Sequence, residues 1–324
     1  MPHAPIILFI YARPDHTRRT LEALSSNTLA QESDLFIYAD GPKENATEEQ
    51  RERIRQTREV ARSRQWCRTV TVIESDTNKG LAASIIAGVT ETVNKYGKVI
   101  VLEDDIVTGK YFLEYMNEAL ERYEDEKQVW EITGYRVPIK DSVTRTCFFS
   151  TRESCWGWAT WADRWKNFKK DPTYYKTIFT KKMIREFNME GADTGIWRQL
   201  EMNLSGKLNT WAVFWAATIY LNHGLTLTPC RSLVRNIGFD ESGENCGNMP
   251  EFEIPTEVDH KIMEYPLLLR RDDQEFLKDK KFFRRISRRD DMIDFLSRLA
   301  RGILPKWGLQ ALKGFVSRQK NHVV

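Results

Sequence analysis

Residues 6–11 read Ile-Ile-Leu-Phe-Ile-Tyr. A strand that is apolar at every position belongs in a sheet covered on both faces, which in practice means a parallel sheet with helices on either side. The next hundred residues keep to that plan. Pro14 opens a helical stretch to about residue 24, Pro being tolerated in a first turn. A second apolar run, 35–39, ends in Asp40-Gly41-Pro42. A charged helix follows from Thr47, placed as its cap, to about residue 64. Residues 69–74 are β-branched, Asn78-Lys79-Gly80 leads into a helix from Leu81 to about Asn94, and 99–102 is a fourth apolar strand. It ends in Glu103-Asp104-Asp105, before a helix over about 111–126. Alternation of this kind predicts an α/β, Rossmann-like, mainly parallel sheet flanked by helices.

Beyond residue 130 the pattern changes. A strand is expected at 147–150, a tryptophan-rich stretch at 156–165, helices over about 181–204 and 211–221, and a short strand at 225–228. Residues 236–250, rich in Gly, Asn and acids, read as a mobile loop. No internal repeat or low-complexity linker breaks the chain. The expected organisation is therefore one domain, 1–277, with halves at 1–130 and 131–277, followed by a tail at 278–324.

Composition narrows the setting. Hydrophobic residues make up 41% of the 324, enough for a buried core, and no apolar run approaches the roughly 20 residues that span a bilayer. No basic leader precedes the first strand, so no signal peptide is expected. Cys67, Cys147, Cys155, Cys230 and Cys246 are odd in number and lack metal-binding spacing, which points to free thiols in a reducing, cytoplasmic setting.

The acidic triplet carries the most chemistry. Ligands of parallel sheets bind outside the carboxyl ends of the strands. Three adjacent carboxylates there repel one another unless a cation joins them, and oxygen donors suit Mn²⁺ or Mg²⁺ held together with substrate phosphates. Such an ion stabilises the charge that develops on a diphosphate leaving group. The competing reading is an acidic helix start. Arg13 after strand one and Asp40 after strand two reach the same edge, where a fixed cation could meet phosphate and a carboxylate could meet a base or ribose. Taken singly, they read equally well as a surface charge and a turn residue.

With these residues in hand, the first 270 or so positions resemble the GT-A glycosyltransferases, especially the inverting branch that includes N-acetylglucosaminyltransferase I and bacterial capsule and lipopolysaccharide sugar transferases. The resemblance lies in Ile-Tyr-Ala-Arg13-Pro, Tyr-Ala-Asp40-Gly-Pro, Asn78-Lys79-Gly80-Leu81 and Val-Leu-Glu103-Asp104-Asp105-Ile, the last matching the family's DXD-like motif. It continues through Trp156-Gly157-Trp158, the segment 193–197 and Asn236-Ile237-Gly238-Phe239-Asp240. It departs at Glu244-Asn245, where related bacterial chains carry Thr-His. By that resemblance Arg13, Asp40 and Lys79 hold the nucleotide, Asp105 binds the metal, and Glu103 and Asp104 hydrogen-bond the donor sugar and ribose.

Inverting transfer needs one general base and no covalent nucleophile. Asp193 matches the family position of that base, with Glu153 and Glu190 as runners-up; it would also cap a helix starting near Thr194. Trp158, Trp161 and Trp165 have the spacing of a buried helical stripe, which leaves Trp156 as the wall for an acceptor sugar. Arg231 and Arg235 flank the Gly/Asn loop, and Arg235 is the candidate to meet the diphosphate when that loop closes.

The tail is strongly basic: residues 278–320 hold 13 Lys/Arg against 4 Asp/Glu. Phe295, Leu296, Leu299, Ile303, Leu304 and Trp307 interleave with Arg298, Arg301 and Lys306. That pattern reads as an amphipathic helix lying on the inner face of a membrane, beside a glycan or lipid-linked glycan acceptor. A solvated or intermolecular helix is the plainer reading. No nucleic-acid motif accompanies the basic residues. Two other functions fit the pattern: a sugar-nucleotide nucleotidyltransferase, although the glycines that would cradle a triphosphate are missing after strand one, and a non-catalytic carbohydrate-binding protein.

Overall fold

The computed structural model describes residues 3–139, 146–193, 195–240, 249–254 and 257–303, with side chains as far as 289. The first strand, β1 (Ile6–Ile10), is buried along its whole length. It is followed by α1 (Pro14–Ser25), β2 (Asp34–Ala39), α2 (Glu48–Arg62), β3 (Thr69–Glu74), α3 (Leu81–Tyr96) and β4 (Lys98–Glu103). Next come β5 (Ile106–Thr108), α4 (Phe112–Arg122), β6 (Val129–Thr133), β7 (Cys147–Ser150), β8 (Trp158–Trp161) and α5 (Ala162–Trp165). The remaining elements are α6 (Pro172–Ile178), α7 (Lys181–Phe187), α8 (Gly195–Leu204), α9 (Ala212–Leu221), β9 (Leu225–Pro229), β10 (Val234–Asn236) and α10 (Asp273–Ile303).

Eight strands form one sheet in the order β3-β2-β1-β4-β8-β6-β9-β7. The β3-β2-β1-β4 block is parallel, as is the β6-β9 pair, while β8 runs antiparallel to both β4 and β6 and β7 antiparallel to β9. The expected α/β architecture is present: a large, mainly parallel sheet flanked by helices.

The chain forms two compact units. The first holds the sheet, in Met1–Lys170, Asn209–Ile237 and Ile254–Asp272; the second gathers Asp171–Leu208, Gly238–Glu253 and the chain from Asp273 onward. Each unit is assembled from separated stretches of chain.

Trp158, Trp161 and Trp165 are core, but not as one helical stripe. Trp158 and Trp161 lie on strand β8 and only Trp165 is on a helix. Three residues apart on a strand, the first two point to opposite faces. Trp158 stacks on Trp211 at 5.1 Å and neighbours Trp165 and Trp215 in the cluster that includes Ile7, Phe9, Val99 and Val101. Trp161 instead donates its indole N–H to the carbonyl of Leu120 at 3.1 Å.

In the second unit, α10 begins at Asp273, five residues before the expected tail. Phe276, Phe282, Phe283 and Ile286 are buried, and Phe282 meets Phe252 edge to face at 5.6 Å. Phe282 and Phe283 thus pack on Phe252 of the same unit. The apolar positions named from Phe295 onward lie outside the described side chains. No helix among the described residues is long and apolar enough to cross a membrane.

Candidate active site

From β1 the chain moves to β2 and β3 on one side, then returns to the other side as β4. Strand order thus reverses between β1 and β4, where Phe9 pairs with Glu103; in open parallel sheets this switch point, where the connections leave in opposite directions, is where ligands bind. Arg13 sits three residues past β1 as the N-cap of α1, and Asp104 and Asp105 directly follow β4.

Those three side chains meet. The Arg13 Nη2 group donates to Asp104 Oδ1 and, at 2.8 Å, to Asp105 Oδ2. The side chains are 17%, 6% and 8% exposed respectively, so the contact is largely dry. Burial works against the charge on Arg13, yet the two carboxylates outweigh it and hold the guanidinium more firmly protonated than usual. Burial raises the Asp104 carboxyl from its ordinary value; Arg13 opposes that rise and Asp105 adds to it. Glu103 is pushed up to about 8 by burial and by repulsion from Asp105 and Asp104. Two groups stay open: Arg13 Nη1 is buried without a hydrogen-bond partner, and Asp105 Oδ1 carries no hydrogen bond among the described residues.

Main-chain contacts fix the triplet. The buried Thr20 hydroxyl, on α1, donates to the Asp104 carbonyl at 2.8 Å, and the Ile237 amide donates to the Asp105 carbonyl at 2.9 Å. Immediately beyond, β5 pairs antiparallel with β10, Arg235 opposite Val107. Arg235 is exposed on that ribbon, and Arg231 is exposed with its carbonyl accepting from His260 at 3.1 Å. Both arginines lie on the stretch that leads from β9 into the loop named in the sequence. Residues 241–248 of that loop, with Glu244, Asn245 and Cys246, lie outside the described residues.

Two glycines let the ribbon sit close to the sheet. A Cβ on Gly134 would lie 2.7 Å from the Phe112 ring, and Gly157, at φ +67°, would bring one within 3.1 Å of Val234 and 3.4 Å of Ile106. The Gly134 amide donates to the Gly157 carbonyl at 2.7 Å. Trp156 is thereby held at the same edge of the sheet, partly buried, its ring edge-to-face with Tyr135 at 4.5 Å.

Asp40 reaches the edge but is occupied. Its Oδ1 accepts from the Gly41 and Lys79 amides and its Oδ2 from the Asn78 side chain and the Gly80 amide, at 2.8–3.0 Å. The residue clamps the loop 78–80 that starts α3. Lys79 is exposed, and its backbone rather than its side chain makes the recorded contact.

Asp193 belongs to the second unit. It is buried, and its Oδ1 accepts from the Gly195 amide, the first of α8, at 3.1 Å. The turn before it holds Met189, Glu190 and Gly191 at φ 51°, 56° and 84°. From α10, Lys280 pairs with Glu190, and Ser287 donates to the Ala192 carbonyl at 3.0 Å.

A buried acid within the sheet was not among the residues singled out in the sequence. Glu131, fully buried on β6, accepts from the Ser154 amide at 3.0 Å and the Trp215 indole at 2.7 Å. An acid in an otherwise apolar strand was the available signal. Its carboxyl is raised well above its ordinary value by burial and by the neighbouring Glu153.

Among the described residues, no group of three or more His, Cys, Asp or Glu side chains is arranged to hold a metal ion. No protein-family model and no curated protein matches the chain. Among solved structures it is similar to the crystal structure of S. aureus TarS, with a TM-score of 0.38 and 10% identity over 72% of this chain and 36% of that one. The chain thus spans about a third of the length of TarS, and a likeness this loose assigns no activity.

Proposed function

We propose that this chain is an inverting glycosyltransferase that uses a nucleotide diphosphate sugar, with a UDP-sugar as donor and a glycan or lipid-linked glycan as acceptor. The observation that carries the reading is the meeting of Arg13 with Asp104 and Asp105 in the crevice where strand order reverses. A buried cation with an unpartnered Nη1 suits a phosphate oxygen, and the adjoining carboxylates suit the hydroxyls of ribose and sugar. Asp40 supports the nucleotide side by ordering the loop 78–80, and Arg235 lies on the ribbon beside the triplet. Trp156, partly buried and backed by the buried Tyr135, offers an aromatic face for a sugar at the same edge.

The donor set also fits Mn²⁺ or Mg²⁺. Such ions need only one or two protein carboxylates when phosphates complete the shell, and Asp105 Oδ1 is open for that purpose. Once bound, the ion would supply charge stabilisation to the departing diphosphate. In this reading Asp193 takes the proton from the attacking acceptor hydroxyl. Peripheral membrane contact through the basic C-terminal segment would bring a lipid-linked acceptor to the enzyme.

Thermal unfolding with UDP-, GDP- and CMP-sugars, each with and without Mn²⁺, tests the donor and the metal together. A Mn²⁺-dependent rise in melting temperature with a UDP-sugar is expected, by linkage of binding to folding. Asp193→Asn is expected to keep that rise while losing transfer by at least about a hundredfold. No stabilisation by any sugar nucleotide would remove the reading.

A further inference from the structure

We infer that Arg13 is an exchangeable counter-cation, which makes metal binding at Asp105 conditional on the nucleotide diphosphate. This rests on the reading of the triplet as a cation and diphosphate site, and it concerns how that site is filled. In the structure one nitrogen of Arg13, Nη2, serves both Asp104 Oδ1 and Asp105 Oδ2. The guanidinium thus occupies, in charge, the place a divalent ion would take against Asp105.

A divalent ion arriving alone meets two obstacles. It must share Asp105 with a resident positive charge a few ångströms away, in a crevice where solvent screens poorly. If it displaces the guanidinium, Arg13 keeps only Asp104, and its buried Nη1 still has no acceptor. A diphosphate removes both obstacles, because its oxygens offer Arg13 a new anionic partner while they complete the ion's shell. Arg13 then passes from Asp105 to phosphate as the ion takes Asp105. Ion and diphosphate therefore bind with positive coupling, and each raises the affinity for the other. Asp104, whose carbonyl is fixed by Thr20, keeps its hold on the guanidinium throughout.

Neither sugar donor nor acceptor is needed to test this. Calorimetric titration of the full chain with Mn²⁺ alone, and with Mn²⁺ in the presence of UDP, reads the coupling directly. For the natural sequence, Mn²⁺ alone is expected to bind weakly. Arg13→Met is expected to bind Mn²⁺ alone at least about tenfold more tightly, since the competing charge is gone, while its affinity for UDP falls. Arg13→Lys keeps the charge on a shorter side chain and lacks the second nitrogen, Nη1, that would meet phosphate, so its affinity for Mn²⁺ alone is expected to lie between the two. It also serves as the test if the methionine variant does not fold. Equal or weaker Mn²⁺ binding by these variants than by the natural sequence overturns the exchange and leaves the site itself standing. Absence of Mn²⁺ binding in every case, with or without UDP, overturns the exchange and the metal reading together.

Discussion

The carboxylate of Asp40 accepts four hydrogen bonds, about as many as a carboxylate can. From the sequence it reads as a nucleotide ligand or a turn residue, and three of its four partners are backbone amides, which leave no side-chain signature. The triplet was more legible: three adjacent acids after a buried strand are costly unless a cation joins them, and in the structure Arg13 joins two of them, Asp104 and Asp105. Glu131 gives a residue-scale prediction that does not depend on the function. Its carboxyl is raised well above the ordinary value of about 4.5, chiefly by burial. The native state therefore keeps a proton that the unfolded chain releases above about pH 4.5, and stability falls as pH rises from there. Glu131→Gln has no such proton to keep. Thermal unfolding of the variant is expected to depend less steeply on pH between about 5 and 8 than that of the natural sequence. Equal slopes would mean that the native carboxyl is already ionised across that range.

Strands announced themselves where they were long and apolar throughout, as in β1, β2 and β4. The shorter elements did not. β5 and β10 are three residues each, too brief for any periodicity, yet their pairing ties residues 234–236 to the triplet. Trp158, Trp161 and Trp165 mimic a helical stripe because a strand passes into a helical turn between them, so the spacing carried burial correctly and conformation wrongly. The turn before Asp193 was equally opaque, since two of its three left-handed residues, Met189 and Glu190, are not glycine. Gly157 is where an element-scale prediction is sharpest. It combines a positive φ with close approach to Val234, Phe112 and Ile106, so alanine there strains the backbone and pushes against the ribbon. Gly157→Ala is expected to cost about 1–3 kcal/mol in denaturant unfolding. A variant as stable as the natural sequence would show that the ribbon yields freely.

At the scale of the whole molecule, α10 groups in the second unit with Asp171–Leu208 and Gly238–Glu253. A helix's apolar stripe must be buried against something, and Phe276, Phe282, Phe283 and Ile286 are all buried, with Phe282 and Phe283 against Phe252. Cutting the chain after Leu277 would therefore remove core as well as charge. That truncation is expected to expose the 189–193 turn, which loses Lys280 and Ser287, and faster proteolysis or amide exchange there would report it. Membrane contact has to be tested without that damage. Arg284, Arg285 and Arg288 are exposed, so reversing them to Glu changes the surface charge and leaves the buried stripe in place. If the basic segment rests on an anionic bilayer, the triple reversal is expected to lower flotation with anionic liposomes by at least about tenfold, at about 1 kcal/mol for each basic residue near the surface, with neutral liposomes binding neither protein. Flotation unchanged by the reversal would assign the basic face of 284–288 to solvent or to another protein.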